Sequence, residues 1–450
     1  MAVIKVDLQK KQGKIKPLHG VNNGPKTANL GIDTTDSFKK AAIPYVRLHD
    51  TEYPYGSGHF VDIHCVFPNF DADPDDPGSY DFFATDEYIK AIFESGAKPF
   101  YRLGESIEHP AKKYHIFPPK DNLKWAKICG GIISHYTKGW ADGFYYDMQY
   151  WEIWNEPDCI DKPEYSTMWQ GTKEQFFELY VTAANYLKDK FPDLKIGGYA
   201  SCGFYAADLS GAEKENINPD WLKRLYYFIE FFHDFMKYIS NPAHTAPLDF
   251  FSWHEYASNP DKLVKHAVYV REQLDIYGFG KTESILNEWN YSGENQFVEM
   301  KNIPGASFAA AAFCGLQNAP LDYAMYYTGE THFHYGGLYE NSLGKETKTY
   351  LSFEYFGKMY RMGTQFLSES DTKEIYSCAA GGIDGEIAVM VVNYNQPDTE
   401  IELKLIGGSN KNLKLLLLDA ARDMEKIDEF DAGSKIKFSL PKNSVAFLCN

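Results

Sequence analysis

Between residues 18 and 362, short apolar runs alternate with longer stretches of helical periodicity. The runs cover 18–25, 43–50, 97–105, 150–158, 194–201, 248–256, 282–292 and 321–328. Apolar positions spaced three and four apart fill 34–42, 81–95, 121–138, 173–190, 219–239, 260–277, 305–318 and 347–362. Nearly continuous apolar strands, each followed by a helix, imply a parallel sheet, and eight such units imply an α/β fold, a closed (β/α)8 TIM barrel. After about residue 365 the helical period is lost. Strand-like runs at 387–392, 400–405, 413–418, 435–440 and 444–448 follow one another across turns, as in an antiparallel β-sandwich. Residues 3–16 also alternate, with Gly13 as a turn, and read as a hairpin that joins this second unit. The expected domains are a catalytic barrel over 17–362 and an accessory β-sandwich built from 1–16 plus 365–450.

In such a barrel, chemistry gathers at the C-terminal ends of the strands. The polar residues expected there are Asn22, Asn23, Arg47, His49, Asp50, Glu105, Asn155, Glu156, His254, Tyr256, Glu288, Asn290 and Tyr326. Two ends carry an Asn-Glu pair: Trp-Asn155-Glu156-Pro after the fourth run, where Pro157 stops the strand, and Asn287-Glu288-Trp in the seventh. Strands four and seven face each other across a barrel, so their carboxylates can bracket a glycosidic bond. Asn155 can bond a sugar hydroxyl beside the scissile centre. His254 and Tyr256, two apart, both point inward and can orient Glu288, while Arg47 supplies the positive charge that keeps a nucleophile ionised. Taken singly, an Asn-Glu-Pro turn, a buried histidine or a structural arginine is commonplace. Their coincidence at strand ends carries the weight.

Charge narrows the field. A formal net charge of −17 argues against nucleic acid, whose binders displace counterions with basic surface, and against an anionic membrane. It leaves neutral sugars open, and an aromatic share of 16% supplies stacking platforms for them. Seven scattered cysteines without a CxxC motif suggest buried thiols in a reducing compartment. The N-terminus lacks an apolar leader region, so a cytoplasmic location is expected, or secretion if Met-Ala replaces a removed leader. Residues 71–76, Asp-Ala-Asp-Pro-Asp-Asp, lack the ligand spacing of a calcium loop and read as a solvated turn. His332 and His334, without further His or Cys partners, read as cleft residues, so no metal and no cofactor is expected.

Six stretches together resemble glycoside hydrolase family 39 of clan A: His19-Gly-Val-Asn-Asn-Gly-Pro25, Val46-Arg-Leu-His49, Tyr80-Asp-Phe with Lys98-Pro-Phe100, Trp151-Glu-Ile-Trp-Asn-Glu-Pro157, Ser252-Trp-His-Glu-Tyr256 and Asn287-Glu-Trp-Asn290. The resemblance implies Glu156 as acid/base, Glu288 as nucleophile, and Arg47, His49, Asn155, His254 and Tyr256 around the cleaved sugar. Trp289, Asn290 and Tyr326 complete the implied substrate-binding set. Many clan relatives close the eighth strand with a Trp beneath the sugar, whereas Tyr326 and Tyr327 stand here. The implied activity is retaining, exo-acting hydrolysis of an oligosaccharide or glycoside, with β-D-xylose as first choice and α-L-arabinose or another β-linked sugar next. The long loops after strands two, four and eight are expected to wall the cleft into a pocket. An α-L-iduronide needs a basic partner for its carboxylate, for which only Arg102 and Lys345 are at hand. A non-catalytic carbohydrate-binding barrel would lack one of the two carboxylates, and both are present. Oligomeric state is not legible in the chain.

Overall fold

The computed structural model describes residues 1–25, 32–51, 59–331, 335–340, 344–407, 412–433 and 435–450. Eight parallel strands close into a barrel in chain order: Gly20–Asn22, Tyr45–Leu48, Lys98–Leu103, Tyr150–Ile153, Lys195–Ser201, Phe250–Ala257, Glu283–Tyr291 and Tyr323–Tyr326. The eighth returns to the first through Gly20 opposite Met325. Each strand sends alternate side chains inward and outward. Outward residues such as Leu48, Tyr101, Trp151 and Leu286 pack on the surrounding helices. Inward, Phe100, Tyr150, Phe250, Ile285 and Met325 plug the lower barrel as one apolar layer.

The helices end where their sequence says they should. Thr172 caps Lys173–Lys190 through a capping box with Gln175, and Gly139, at φ 70°, closes Asn122–Lys138 in the left-handed conformation. Ile303–Leu316 is the exception to amphipathicity: its alanines 306 and 309–312 are all fully buried. It lies between the barrel and the second unit, where small side chains allow close approach from both sides.

That second unit is a nine-stranded, mostly antiparallel sheet. Its order is Asp423–Asp431, Asn412–Leu418, Ser444–Cys449, Ile387–Asn393, Ile375–Gly381, Thr364–Ser370, Ala2–Lys14, Thr399–Ile406 and Ile436–Leu440. Leu413 and Leu415 near one end share a core with Ile436 and Phe438 at the other, so the sheet closes over itself as a sandwich does. The opposite face presents Cys378, Met390, Val392 and Phe447 to the barrel helices. The expected N-terminal hairpin is instead one strand. Ala2–Lys14 pairs antiparallel with Thr364–Ser370 and parallel with Thr399–Ile406, and at Gly13, where a turn was expected, the strand carries a register shift from Lys11, the second after one between Asp7 and Lys11. Among the described residues, no helix is long and apolar enough to cross a membrane.

Candidate active site

Above the apolar plug the inward positions turn polar, and Arg47 from the second strand organises them. Its guanidinium is fully buried and spends its donors on four side chains. Nε donates to Glu152 at 2.7 Å, Nη1 to Asn22 at 3.1 Å and to Glu288 at 2.8 Å, and Nη2 to Asn155 at 2.6 Å. Glu152 also accepts from Asn287 at 2.5 Å, which closes the network under the site. A buried charge is tolerated only when it is paired and hydrogen-bonded, and this fork meets that condition. Because Asn155 accepts from Arg47 through its oxygen, its amide nitrogen is left to donate and has no partner among the described residues.

The two strand-end glutamates face each other across His254. One carboxylate oxygen from each, with a His254 ring nitrogen, lie within 4.8 Å of one another. His254 Nδ1 is 2.7 Å from Glu156 and Nε2 is 3.5 Å from Glu288. Tyr256 donates its hydroxyl to the other oxygen of Glu288 at 2.8 Å. Burial pushes Glu156 up to about 7, against Arg224 and Arg47, and the neighbouring Asp50 carboxylate adds to the rise when charged. Burial also raises Glu288, but there His254, Arg47 and the Tyr256 hydroxyl oppose it. Burial lowers His254 to about 4, so its ring is neutral near pH 7. With Glu156 protonated and donating to Nδ1, the remaining ring proton sits on Nε2, on the side of Glu288 but 3.5 Å from it.

The chain departs from regular backbone where it delivers the acid. Trp154 and Glu156 both hold left-handed φ values, 69° and 45°, and the Glu156 amide donates to Ala200 at 3.0 Å. Strain of this kind, about 1–3 kcal/mol per residue, persists only where surroundings over-determine it. Above the carboxylates lies a cavity of about 340 Å³, whose lining includes Asp50, Glu156, Tyr256, Glu288 and Tyr327.

The profile of Glycosyl hydrolases family 39 matches residues 2–286. The chain belongs to glycosyl hydrolase family 39. Its activity is therefore that of a glycoside hydrolase acting on a glycoside substrate. A "Beta-xylosidase" of Caldicellulosiruptor saccharolyticus is 25% identical over 417 residues, covering 82% of this chain and 74% of that one. A second "Beta-xylosidase", from Geobacillus stearothermophilus, is 23% identical over 266 residues, which is 56% of this chain and 45% of the relative. Among solved structures, a glucosidase from Croceicoccus marinus superposes with a TM-score of 0.78 at 22% identity, covering 100% and 98% of the two chains. A monomeric β-xylosidase from Caulobacter crescentus does so at 0.70 and 16%, covering 100% and 99%. At these identities the structural likeness speaks for the fold.

Within this family 39 enzyme, Arg47, His49, Asn155, Glu156, His254, Tyr256 and Glu288 come together at one site. His49 Nε2 lies 3.5 Å from Glu288, and burial keeps its ring neutral. His254 differs from expectation in its bond, which goes to Glu156, with Glu288 at longer range. Three residues of the expected substrate-binding set lie elsewhere. Trp289 is fully buried against Phe313, Tyr326 and Phe353, in the layer between barrel and helices. Tyr326 packs there too, 5.2 Å from the Phe353 ring, and Tyr327 lines the cavity in its place. Asn290 donates to the carbonyls of Tyr327 and Tyr335 at 2.6 and 3.1 Å, tying down the segment after the eighth strand. The described cavity wall takes Asp50 from after strand two, Glu156 from after strand four and Tyr327 and Tyr335 from after strand eight, and adds Ile107 and His109 after strand three and Tyr291 and Gln296 at and beyond the end of strand seven. Residues 52–58, 332–334 and 341–343 of the expected loops lie outside the described residues. Residues 71–76 fold as successive Asx turns, with Asp73 accepting from Asp75 and Asp76 from Gly78. His332 and His334 lie outside the described residues. Arg102 Nη2 donates to Asp62 at 2.7 Å and Ser106 at 3.0 Å, while its Nε and Nη1 are buried without a hydrogen-bond partner among the described residues.

Glu152 and Asn287 carry no role in the sequence reading, although Glu152 was detectable. Tyr150 faces the plug, so the residue two along faces inward as well, and a carboxylate there demands a cation.

Proposed function

We propose that this enzyme is a retaining, exo-acting β-xylosidase that works by double displacement. The observation that carries the proposal is the spacing of Glu156 and Glu288, whose nearest oxygens fall within 4.8 Å. Retaining enzymes hold the two carboxyls ~5–5.5 Å apart and inverting ones ~6.5–9.5 Å, with room for a water between. Glu156 donates its proton to the leaving oxygen while the Glu288 carboxylate attacks the anomeric carbon, breaking the glycosidic bond and forming a glycosyl ester. Water then attacks that carbon, gives its proton to Glu156 and releases Glu288, with configuration retained overall. A Glu156 pKa raised to about 7 suits a group that donates in one step and accepts in the next. Loss of the Glu288 charge on forming the ester lowers the Glu156 pKa between the steps. A cavity of about 340 Å³ fits a terminal ring better than an extended chain, and two β-xylosidase relatives favour xylose.

The test is a panel of aryl glycosides, with the anomer released followed by proton NMR. β-Xyloside is expected to be cleaved fastest, with β-xylose appearing first and Glu288→Ala inert. First appearance of the α-anomer would overturn retention. Faster cleavage of α-L-arabinofuranoside would reassign the sugar.

A further inference from the structure

We propose, resting on the glycosidase reading above, that Asp50 sets the charge specificity of the cavity: its outer oxygen accepts a hydroxyl of the terminal sugar, and its charge turns away a sugar bearing a carboxylate. Asp50 follows the second barrel strand with φ 50°, a left-handed conformation that Asp tolerates better than most residues, and its side chain lines the cavity. Oδ1 accepts from the Ile107 amide at 3.0 Å, which fixes the carboxylate plane. Oδ2 lies 3.4 Å from His49 Nε2, too long for a good N–H···O bond, so its capacity to accept remains open. Burial keeps the His49 ring neutral, so it does not offset Asp50; burial also raises the Asp50 carboxyl, against His59, Arg102 and the Ile107 amide, which favour its charged form.

The surrounding electrostatics point the same way. Asp50, Glu156 and Glu288 place three carboxyl groups around one small space. Among the described residues that line it, none is Lys or Arg. Arg47 beneath has committed Nε, Nη1 and Nη2 to Glu152, Glu288 and Asn155. A neutral sugar brings hydroxyl donors, which carboxylates accept well. A uronic sugar brings another negative charge into a partly desolvated space whose described lining offers no Lys or Arg, with Arg224 and Arg102 acting only from behind it, and like charges so placed are disfavoured.

The experiment compares an aryl β-D-glucoside with the aryl β-D-glucuronide, which differ only in CH₂OH against COO⁻ at one carbon, beside the aryl β-D-xyloside. Wild type is expected to favour the glucoside over the glucuronide by at least ~100-fold in kcat/KM. Asp50→Asn is expected to narrow that ratio ~10-fold or more, and Asp50→Ala to lose ~10–100-fold on the xyloside, with KM rising. Where glucuronide turnover is below detection, competitive inhibition by glucose and by glucuronic acid supplies the ratio. A merely structural role for Asp50 would depress both substrates equally and leave the ratio unmoved, which overturns the proposal. So would a wild type that prefers the glucuronide. If another neutral sugar proves to be the best substrate, the xylosidase reading fails, and the Asp50 ratio is then measured on that sugar and its uronide.

Discussion

Replacing Glu152 by Gln tests whether the network beneath the site holds the nucleophile. Glu152 is fully buried and accepts from Arg47 Nε at 2.7 Å and Asn287 Nδ2 at 2.5 Å. Both partners are donors, so a glutamine oxygen can serve one of them while its NH₂ confronts the other. Losing a charge-assisted bond removes ~1.5–3 kcal/mol, and a buried donor without an acceptor costs ~1–3 kcal/mol more. Together they predict a stability loss of ~3–5 kcal/mol, in the range found when one partner of a buried ion pair is removed. The variant also leaves Arg47 facing Glu288 as its one remaining carboxylate. Removing a negative neighbour favours ionised Glu288, so the acidic limb of kcat/KM is expected to move to lower pH. Meanwhile a looser Arg47 lets Asn155 and Glu288 drift, which is expected to lower kcat/KM ~10–100-fold. Urea denaturation and a pH–rate profile on an aryl glycoside read the two effects separately. A variant with wild-type unfolding midpoint and an unmoved acidic limb would refute the reasoning.

Activity that depends on protonated Glu156 is expected to fall as pH rises through about 7, and Arg224→Gln, which removes the largest opposing charge, should carry that alkaline limb upward; a limb that stays put in a kcat/KM profile excludes Arg224 as the cause. Tyr256→Phe deletes the 2.8 Å bond to Glu288 and is expected to cut kcat/KM ~10–100-fold while raising the acidic limb, since a donor that favoured the carboxylate is gone. Asp158, buried and bonded to Ser201 at 2.7 Å, is raised to about 7 against 3.8 ordinarily. The native state therefore keeps a proton that the unfolded chain has lost, stability falls as pH rises from about 4 to about 7, and Asp158→Asn should gain on wild type at pH 8 relative to pH 5 in urea titrations. An equal difference at both pH values would sink that account.

The barrel was legible because its period changes audibly along the chain, from 2 to 3.6 and back. Residues 173–190 read as a helix and fold as Lys173–Lys190, since the cap, the apolar stripe and the closing lysines agree. The second unit was less legible. Thr364–Ser370, Ile375–Gly381 and Asp423–Asp431 form strands that the sequence reading passed over. Asp423–Asp431 is an edge strand, and its charges discourage further pairing while erasing the alternation that marks a strand. The misplacement of Trp289 has a different cause. Ile285 and Asn287 face inward, and simple alternation would send Glu288 outward and Trp289 inward. The strand bulges there: His254 pairs with Glu288 directly after Trp253 pairs with Leu286, and the register with the eighth strand jumps from Leu286 to Trp289. One extra residue turns Asn287 and Glu288 to the same side and returns Trp289 to the helices. A bulge of this kind leaves no mark in composition or period, yet it places the nucleophile.

The same network that stiffens the site also exposes what it is for. Buried polar groups are nearly always paired, so those left unpaired invite explanation. Beneath the cavity, Arg47, Glu152, Asn22 and Asn287 use one another's donors and acceptors, with Asn287 Oδ1 the one atom of the four side chains left without a partner among the described residues. One level higher, the Asn155 amide nitrogen, His254 Nε2 and His49 Nδ1 are buried without a hydrogen-bond partner among the described residues. Each belongs to a residue whose other polar atom or backbone is already held: Asn155 by Arg47, His254 by Glu156, and His49 through its amide by Asn23. Orientation is thus fixed from below while hydrogen-bonding capacity is kept above. An unmet buried group costs ~1–3 kcal/mol, and a sugar hydroxyl that supplies the missing partner recovers it. That recovery depends on where the hydroxyls sit around the ring, which is how a rigid polar layer at the top of a barrel distinguishes one sugar from another before either glutamate acts.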